Sequence, residues 1–320
     1  MNPICAQCQT TGTSLLRCSR CRLVHYCSAE HQRAHWTQHK KECKLFEPKG
    51  DPRTLETKEI DKKNRIKKAP QSDRFPPGWR NFVYKPSPDG VDENLLILFH
   101  GMGDSEVPYA KFAQQLNLPQ TATLALRAPL SVPLMEDSYC WIPSYDENFE
   151  RLINSPLRLK GIEECRDRLD DIMRHLEELG WYAPSIFMLG FSQGGAVVMH
   201  YTIHCGKTFG GSIIISGNVL DEYLQRENER PTLVASSIRT PFFITHGRRD
   251  QMLPISKARE KYQTVKDKME GVEWHYHEYD KGHTMISSKE EAKDLVEFFS
   301  KRLKLRNIAL EDRDDLIQIN

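Results

Sequence analysis

From Ile186 to Tyr201 the chain reads I-F-M-L-G-F-S-Q-G-G-A-V-V-M-H-Y, and this stretch limits the fold more than any other. The apolar run Ile186 to Leu189 has the length of a strand buried on both faces, as in a parallel sheet. Gly190-Phe191-Ser192-Gln193-Gly194 then matches G-x-S-x-G, and a helix-like apolar stretch follows. A tight strand-to-helix turn of this kind lifts a serine hydroxyl above the sheet. Glycines flank the serine because the neighbouring backbone packs too closely for side chains. A helix starting near Gly194 would aim its positive end, and the Gln193 backbone N–H, at an oxyanion. Five residues also fit an ordinary glycine-rich turn, so the reading depends on partners elsewhere in the chain.

Those partners follow other apolar runs. Leu95 to Phe99, Thr123 to Leu126, Ser212 to Ile215, Phe242 to Thr245 and Trp274 to Tyr279 also read as strands. Ile162, Cys165, Leu169, Ile172, Met173, Leu176 and Leu179 share one helix face. A further helix opens near Ser288 with Glu291 in capping-box position and would bury Leu295, Val296, Phe298 and Phe299. Alternating strands and helices predict an α/β fold with a mainly parallel sheet covered on both faces. Ligands bind such sheets at the carboxyl ends of their strands. His100-Gly101-Met102-Gly103-Asp104, Asp250 and His283 each stand just after a strand. The order Ser192, Asp250, His283 is that of an α/β-hydrolase. His283 is the expected base for Ser192, and Asp250 the group that orients its imidazole. Oxyanion donors are expected from the backbone N–H groups of Met102 and Gln193, with His100 as structural support. His200, His204, His275 and His277 fall inside helix or strand patterns.

The residues from about Pro77 to Leu303 resemble the phospholipase/carboxylesterase family, which includes acyl-protein thioesterases and small lysophospholipases. Phe99 to Asp104, Gly190 to Gly195, Asp250-Gln251-Met252-Leu253-Pro254 and Gly282-His283 carry the resemblance. It implies hydrolysis of acyl thioesters or oxygen esters through an acyl-enzyme, with no catalytic cofactor. It also places Leu134, Trp141 and Ile142 where related enzymes line an acyl groove. Arg248-Arg249 beside Asp250 depart from the family's small or acidic residues there. Facing the cleft they would favour anionic substrates, and facing solvent they would do nothing.

Cysteine usage points to a second unit. Six of the nine cysteines precede residue 44, as Cys5-x-x-Cys8, Cys18-x-x-Cys21, Cys27 and Cys43, interleaved with His31, His35 and His39. An odd total with C-x-x-C spacing suits an intracellular metal site better than a secreted disulfide frame. His31, His35, His39 and Cys43 lie four apart, on one face of a helix. So short a segment lacks a sufficient core, and metal binding would supply its folding energy. The run Cys5 to Cys43, with His25-Tyr26-Cys27-Ser28 and His35-Trp36, resembles a MYND zinc finger. That resemblance implies two structural zinc ions, one on Cys5, Cys8, Cys27 and His31, the other on Cys18, Cys21, His39 and Cys43. The family usually has cysteine where His31 stands, and spacing alone leaves a swap between His31 and His35 open. Such fingers bind proteins or short proline-containing peptides, so a protein partner is expected. Basic residues on the finger read as a solvated face, not a nucleic-acid surface.

The expected organisation is a finger at 1–46, a charged flexible linker at 47–76, the hydrolase domain at 77–304 and a tail at 305–320. A net charge of +1 gives no global pull toward nucleic acid or anionic membrane. No apolar run reaches the length of a membrane span, and Met1 leads into no apolar leader and no myristoylation glycine. A cytoplasmic protein is expected, with the nucleus left open. Two rival readings are a scaffold built on an inactive hydrolase body and a zinc-finger regulator of transcription.

Overall fold

The computed structural model describes residues 4–11, 15–18, 24–41, 43, 67–229, 239–269 and 271–307. Its contacts divide into two units, Met1–Ile60 and Asp61–Asn320.

In the first unit β1 (Leu16–Arg17) pairs antiparallel with β2 (His25–Tyr26). Helix α1 (Ala29–His39) starts at Ser28, whose Oγ accepts from the His31 N–H at 3.3 Å. Its buried cluster among the described residues is Cys5, Cys18, Tyr26 and Cys43. Four side chains, three of them thiols, are a small core for a fold of this kind.

The second unit is built on a seven-stranded sheet. Its elements are β3 (Phe82–Lys85), β4 (Asn94–Phe99), α2 (Glu106–Leu116) and β5 (Thr121–Leu126). The short pair β6 (Leu130–Ser131) and β7 (Tyr139–Cys140) follows, then α3 (Pro156–Glu178), β8 (Ile186–Phe191) and α4 (Gln193–His204). The chain continues through β9 (Gly211–Ile215), α5 (Asp221–Glu229), β10 (Phe242–Gly247), α6 (Ile255–Asp267), β11 (Trp274–Tyr279) and α7 (Lys289–Ser300). Sheet order is β11-β10-β9-β8-β4-β5-β3, parallel throughout except for β3 against β5. All six strands expected from apolar runs form, most of them longer by one or two residues. The antiparallel edge strand β3 has no strong apolar run and escaped the sequence reading.

Strand β4 explains the two-layer core. Leu95, Ile97 and Phe99 join one cluster with Ile162, Leu169 and Ile172 of α3 and Val197 of α4. Leu96 and Leu98 join the other, with Tyr109 and Ala113 of α2 and Leu295 and Phe299 of α7. Alternate side chains thus feed opposite faces, as the period of a strand requires. Each fully buried leucine contributes about 1.5–3 kcal/mol through apolar burial. Val296 departs from expectation: it is 47% exposed, because the buried stripe of α7 runs through Leu295, Phe298 and Phe299. Ser288 caps that helix through the Glu291 N–H at 3.1 Å.

The charged linker was expected to reach residue 76, but the chain is docked from Lys67 onward. Lys68 donates from its N–H to the Leu179 carbonyl (3.0 Å) and accepts from Trp181 Nε1 (2.9 Å), and Phe75 is buried. Residues 44–66 lie outside the described set. The start of the tail is held as well: Asn94 Nδ2 donates to the Lys304 carbonyl at 2.9 Å, and the Arg306 N–H to Gln120 Oε1 at 2.7 Å. Among the described residues no helix is long and apolar enough to cross a membrane.

Candidate active site and metal centre

Strand β8 ends at the turn that carries Ser192. Ser192 has φ 51° and ψ −115°, a conformation that costs a non-glycine residue energy and must be held by its surroundings. Those surroundings are tight. A Cβ on Gly190 would meet the Gly194 carbonyl oxygen at 2.4 Å, and one on Gly194 would meet the Phe99 carbonyl oxygen at 2.3 Å. Register does the rest, since Phe99 stands opposite Gly190 and brings the His100–Gly103 loop beside the serine.

Three side chains meet here. His283 Nε2 lies 2.8 Å from Ser192 Oγ, and His283 Nδ1 lies 2.8 Å from Asp250 Oδ2. The other oxygen, Asp250 Oδ1, accepts from the N–H groups of Met252 (2.8 Å) and Leu253 (2.9 Å). Asp250 is buried, and these donors compensate its carboxylate. His246 Nε2 donates to the Leu253 carbonyl at 2.8 Å, and burial pushes its pKa down, so it supports the aspartate loop as a neutral ring. Together the contacts fix a carboxylate–imidazole–hydroxyl chain.

Gln193 opens α4, where a first-turn N–H has no acceptor within its own helix. Met102 lines the same cleft from the opposite side of Ser192 in sequence. Its loop is tied down by Gly103 N–H to the Tyr139 carbonyl (2.9 Å) and Tyr139 N–H to the Asp104 carbonyl (3.1 Å). His100 is fully buried, and burial lowers its pKa. As a neutral ring it donates from Nδ1 to the Gly101 carbonyl (2.7 Å) and accepts at Nε2 from the Ala128 N–H (3.0 Å).

The cleft holds about 270 Å³ and is lined by Met102, Ile142, Phe191, Leu220, Met252 and Leu253 around the serine. Of three side chains expected in an acyl groove, the structure puts only Ile142 there. Leu134 is 88% exposed on the β6–β7 loop, away from the cleft lining. Trp141 lies beneath the site in the core, donating from Nε1 to the His100 carbonyl at 2.7 Å and packing on Trp79 and Phe99. An indole N–H needs an acceptor once buried, and this one finds it at the start of the His100–Gly103 loop. Arg248 and Arg249 face outward toward Glu278 and Asp280, and do not line the cleft.

Two supports escaped the sequence reading. The Gln193 side chain accepts from the Trp141 N–H (2.6 Å) and donates to Ser144 Oγ (2.9 Å), joining the 141–144 loop to the elbow. G-x-S-x-G leaves its fourth position open, so the pattern carries no trace of this contact. The second support is Lys281 with Glu291. Their Nζ and Oε1 atoms are 2.5 Å apart and both side chains are nearly or fully buried. Lys281 also donates to the Thr284 carbonyl (3.0 Å), so the pair braces the loop that carries His283. Burial pulls the Lys281 pKa down, and the adjacent carboxylate opposes that shift. Glu291→Ala would leave a buried ammonium without its counter-charge, and the expected loss is about 3–5 kcal/mol in denaturant titration. The double variant Lys281→Met/Glu291→Leu should lose less than Glu291→Ala alone; an equal or greater loss would count against the buried-charge account.

In the finger unit the ligand atoms of Cys5, Cys8, Cys27 and His31 all lie within 4.8 Å of one another, as do those of Cys18, His39 and Cys43. Cys5 Sγ to His31 Nδ1 is 3.8 Å, Cys8 Sγ to Cys27 Sγ 3.6 Å, Cys18 Sγ to Cys43 Sγ 3.9 Å and Cys18 Sγ to His39 Nε2 3.4 Å. Tetrahedral zinc–sulfur bonds of about 2.3 Å give edges of about 3.8 Å, so both groups fit zinc. Burial pushes the Cys5 thiol up, but backbone N–H groups of Cys8, Cys27 and Gln7 outweigh it and bring it down to about 5. Burial and the neighbouring thiols push Cys27 up to about 11. Crowded thiols that cannot all ionise together are what a divalent cation relieves. His31 stands with the cysteines, whereas His35 Nδ1 faces Tyr26 Oη at 3.1 Å. Cys21 lies outside the described residues.

Comparison with known proteins agrees with this geometry. Residues 85–303 match the phospholipase/carboxylesterase family, and residues 5–43 match the MYND finger. A stretch of 159 residues is 35% identical to the uncharacterized hydrolase UM10204 of Mycosarcoma maydis, covering 48% of this chain but 59% of that one, less than two thirds. Acyl-protein thioesterase 1 of Kluyveromyces lactis is 25% identical over 236 residues, 67% of this chain and 93% of its own. Among solved structures, esterase PE8 shares the fold with a TM-score of 0.59 at 21% identity, over 69% of this chain and 98% of its own. With more than half its length matched, and a MYND finger ahead of the matched body, the chain belongs to the phospholipase/carboxylesterase family.

Proposed function

We propose that the chain is a serine hydrolase cleaving acyl thioesters or carboxylic esters through an acyl-enzyme on Ser192, with the finger recruiting a protein or peptide partner. The observation that carries the reading is the pair of 2.8 Å contacts linking Ser192, His283 and Asp250 at the base of the cleft. His283 Nε2 takes the Ser192 proton as Oγ attacks the acyl carbon, and Asp250 stabilises the resulting imidazolium. The backbone N–H groups of Met102 and Gln193 receive the oxyanion. The imidazolium then protonates the leaving thiol or alcohol, and water activated by His283 releases the acid. Each step moves one proton between named groups and needs no cofactor.

Zinc would be structural, held by Cys5, Cys8, Cys27 and His31 and by Cys18, Cys21, His39 and Cys43. When bound it supplies cross-links that the small core of the finger lacks. Free Cys140, Cys165 and Cys205 in the hydrolase unit suit a reducing compartment, so the cytoplasm is the proposed location. No observation favours the inactive-scaffold reading, because the serine, base and orienting acid are all in contact.

The test is a chain-length series of acyl thioesters and matched oxygen esters, run beside a fluorophosphonate probe located by mass spectrometry. Turnover of at least one member and labelling at Ser192 are expected. Folded protein that neither turns over any member nor takes the label would leave the scaffold reading in place.

A further inference from the structure

The charges lining the cleft are one-sided. Its charged residues are Arg151 and Arg158, and among the described residues no carboxylate lines it with them. Arg158 is partly committed, with Nε 3.4 Å from Glu222 Oε1 and Nη1 donating to the Leu152 carbonyl at 3.2 Å. Among the described residues no carboxylate forms an ion pair with Arg151, although Asp146, Glu147 and Glu150 share its loop. Asp146 is engaged within the loop instead, its Oδ1 accepting from the N–H groups of Asn148 (2.9 Å) and Glu150 (2.8 Å).

The loop holds Arg151 in place. Tyr145 and Arg151 form an antiparallel bridge, the Asp146 N–H donates to the Glu150 carbonyl (2.9 Å), and the Leu152 N–H donates to the Ser144 carbonyl (2.9 Å). Ser144 Oγ is in turn bonded to the Gln193 side chain, next to Ser192. A hydrogen-bonded path therefore runs from the nucleophile turn to the residue that presents the guanidinium. Ile142, Leu220 and Leu253 give the same cleft apolar lining, alongside the polar Ser144, Ser216 and Asn218.

We propose that Arg151, backed by Arg158, forms an oxyanion subsite, so that the preferred substrate is an ester with an apolar middle and an anionic far end. A guanidinium fork matches the paired oxygens of a carboxylate or phosphate. The inference rests on the serine-hydrolase reading for its meaning, and its test separates the two. A carboxylate on the acyl chain and a phosphate on the alcohol side are the two sources of such an anion.

The full-length chain is assayed with three ester sets: ω-carboxyl acyl esters of increasing length, their methyl-capped isosteres, and lysophosphatidyl esters. The expected kcat/KM ratio of anionic to capped ester is about tenfold, a modest value because Arg151 is exposed and its attraction is screened by water and salt. Arg151→Gln should bring that ratio to near one, and Arg151→Glu should invert it. A preference confined to the ω-carboxyl set assigns the acyl side, and one confined to the lysophosphatidyl set assigns the alcohol side. A ratio near one in the wild type, or one unchanged in both variants, overturns the subsite while leaving the hydrolase reading intact. Binding of the same esters to Ser192→Ala, by calorimetry, covers a chain that turns over none of them. Arg151-dependent preference in binding keeps the subsite and removes the hydrolase reading, and equal binding of anionic and capped esters removes the subsite.

Discussion

Ser192→Ala is expected to lower kcat for the best ester by about 10⁴- to 10⁶-fold, the range over which triads fail when their nucleophile is removed. The size of the drop follows from the architecture. Without Oγ, His283 Nε2 has no hydroxyl to deprotonate, and no acyl-enzyme can form. What would remain are the proposed oxyanion donors, the N–H groups of Met102 and Gln193, which offer no nucleophile. Folding should change little, by less than about 1 kcal/mol, because alanine keeps the Cβ and the glycines around it already leave the necessary space. Both parts are measurable on one preparation, by initial rates and by urea titration. Turnover within a few-fold of wild type from the folded variant would show that another group attacks the ester, and the assignment of Ser192 would fall.

How much of this site was legible in the sequence depended on whether a residue announces itself locally. Ser192 sits in a turn that only particular neighbours permit, and Asp250 and His283 follow strands that apolar runs reveal. The position at a strand end is set by local pattern, so the order of the three could be read without knowing any contact. Trp141 shows the limit. An aromatic in a loop could as well line a groove as fill a core, and its partners His100, Trp79 and Gln193 lie 41 to 62 residues away. The arginines show it again. Arg248 and Arg249 adjoin Asp250 in sequence and point away, while Arg151, in the loop before α3, and Arg158, in the first turn of α3, line the cleft. Neighbours along a loop need not share a direction, and direction is what a cleft selects. Glu291 was read only as a capping residue, and its pairing with Lys281 was invisible for a related reason, since ordinary charged residues become a brace only once folding buries both.

Removing zinc should unfold the finger unit and spare the hydrolase unit. The cluster of Cys5, Cys18, Tyr26 and Cys43, with Ala6, Leu15 and Val24 packed against it, offers too little apolar area to hold α1 and the β1–β2 pair together. In small fingers the metal contributes about 10–16 kcal/mol near neutral pH, larger than the stability of most whole domains. A strong chelator is therefore expected to abolish amide protection across Ala29–His39, as read by hydrogen exchange. The hydrolase unit has its own two-layer core, and its proposed triad of Ser192, His283 and Asp250 shares no residue with the finger's ligand groups, so its rate on a neutral ester should stay within about twofold. A chromogenic chelator should count two zinc ions released per chain. Cys5→Ala and Cys18→Ala, in separate chains, should each weaken binding of one ion, because their sulfurs belong to different ligand groups. Release of a single ion would break the two-site reading, with the group around Cys18 in question because its fourth ligand is assigned to Cys21 through the family pattern. Protection of α1 that survives metal removal would mean that packing, not metal, holds the finger. Loss of esterase rate together with zinc would mean that the finger stabilises the catalytic unit, a role beyond recruitment.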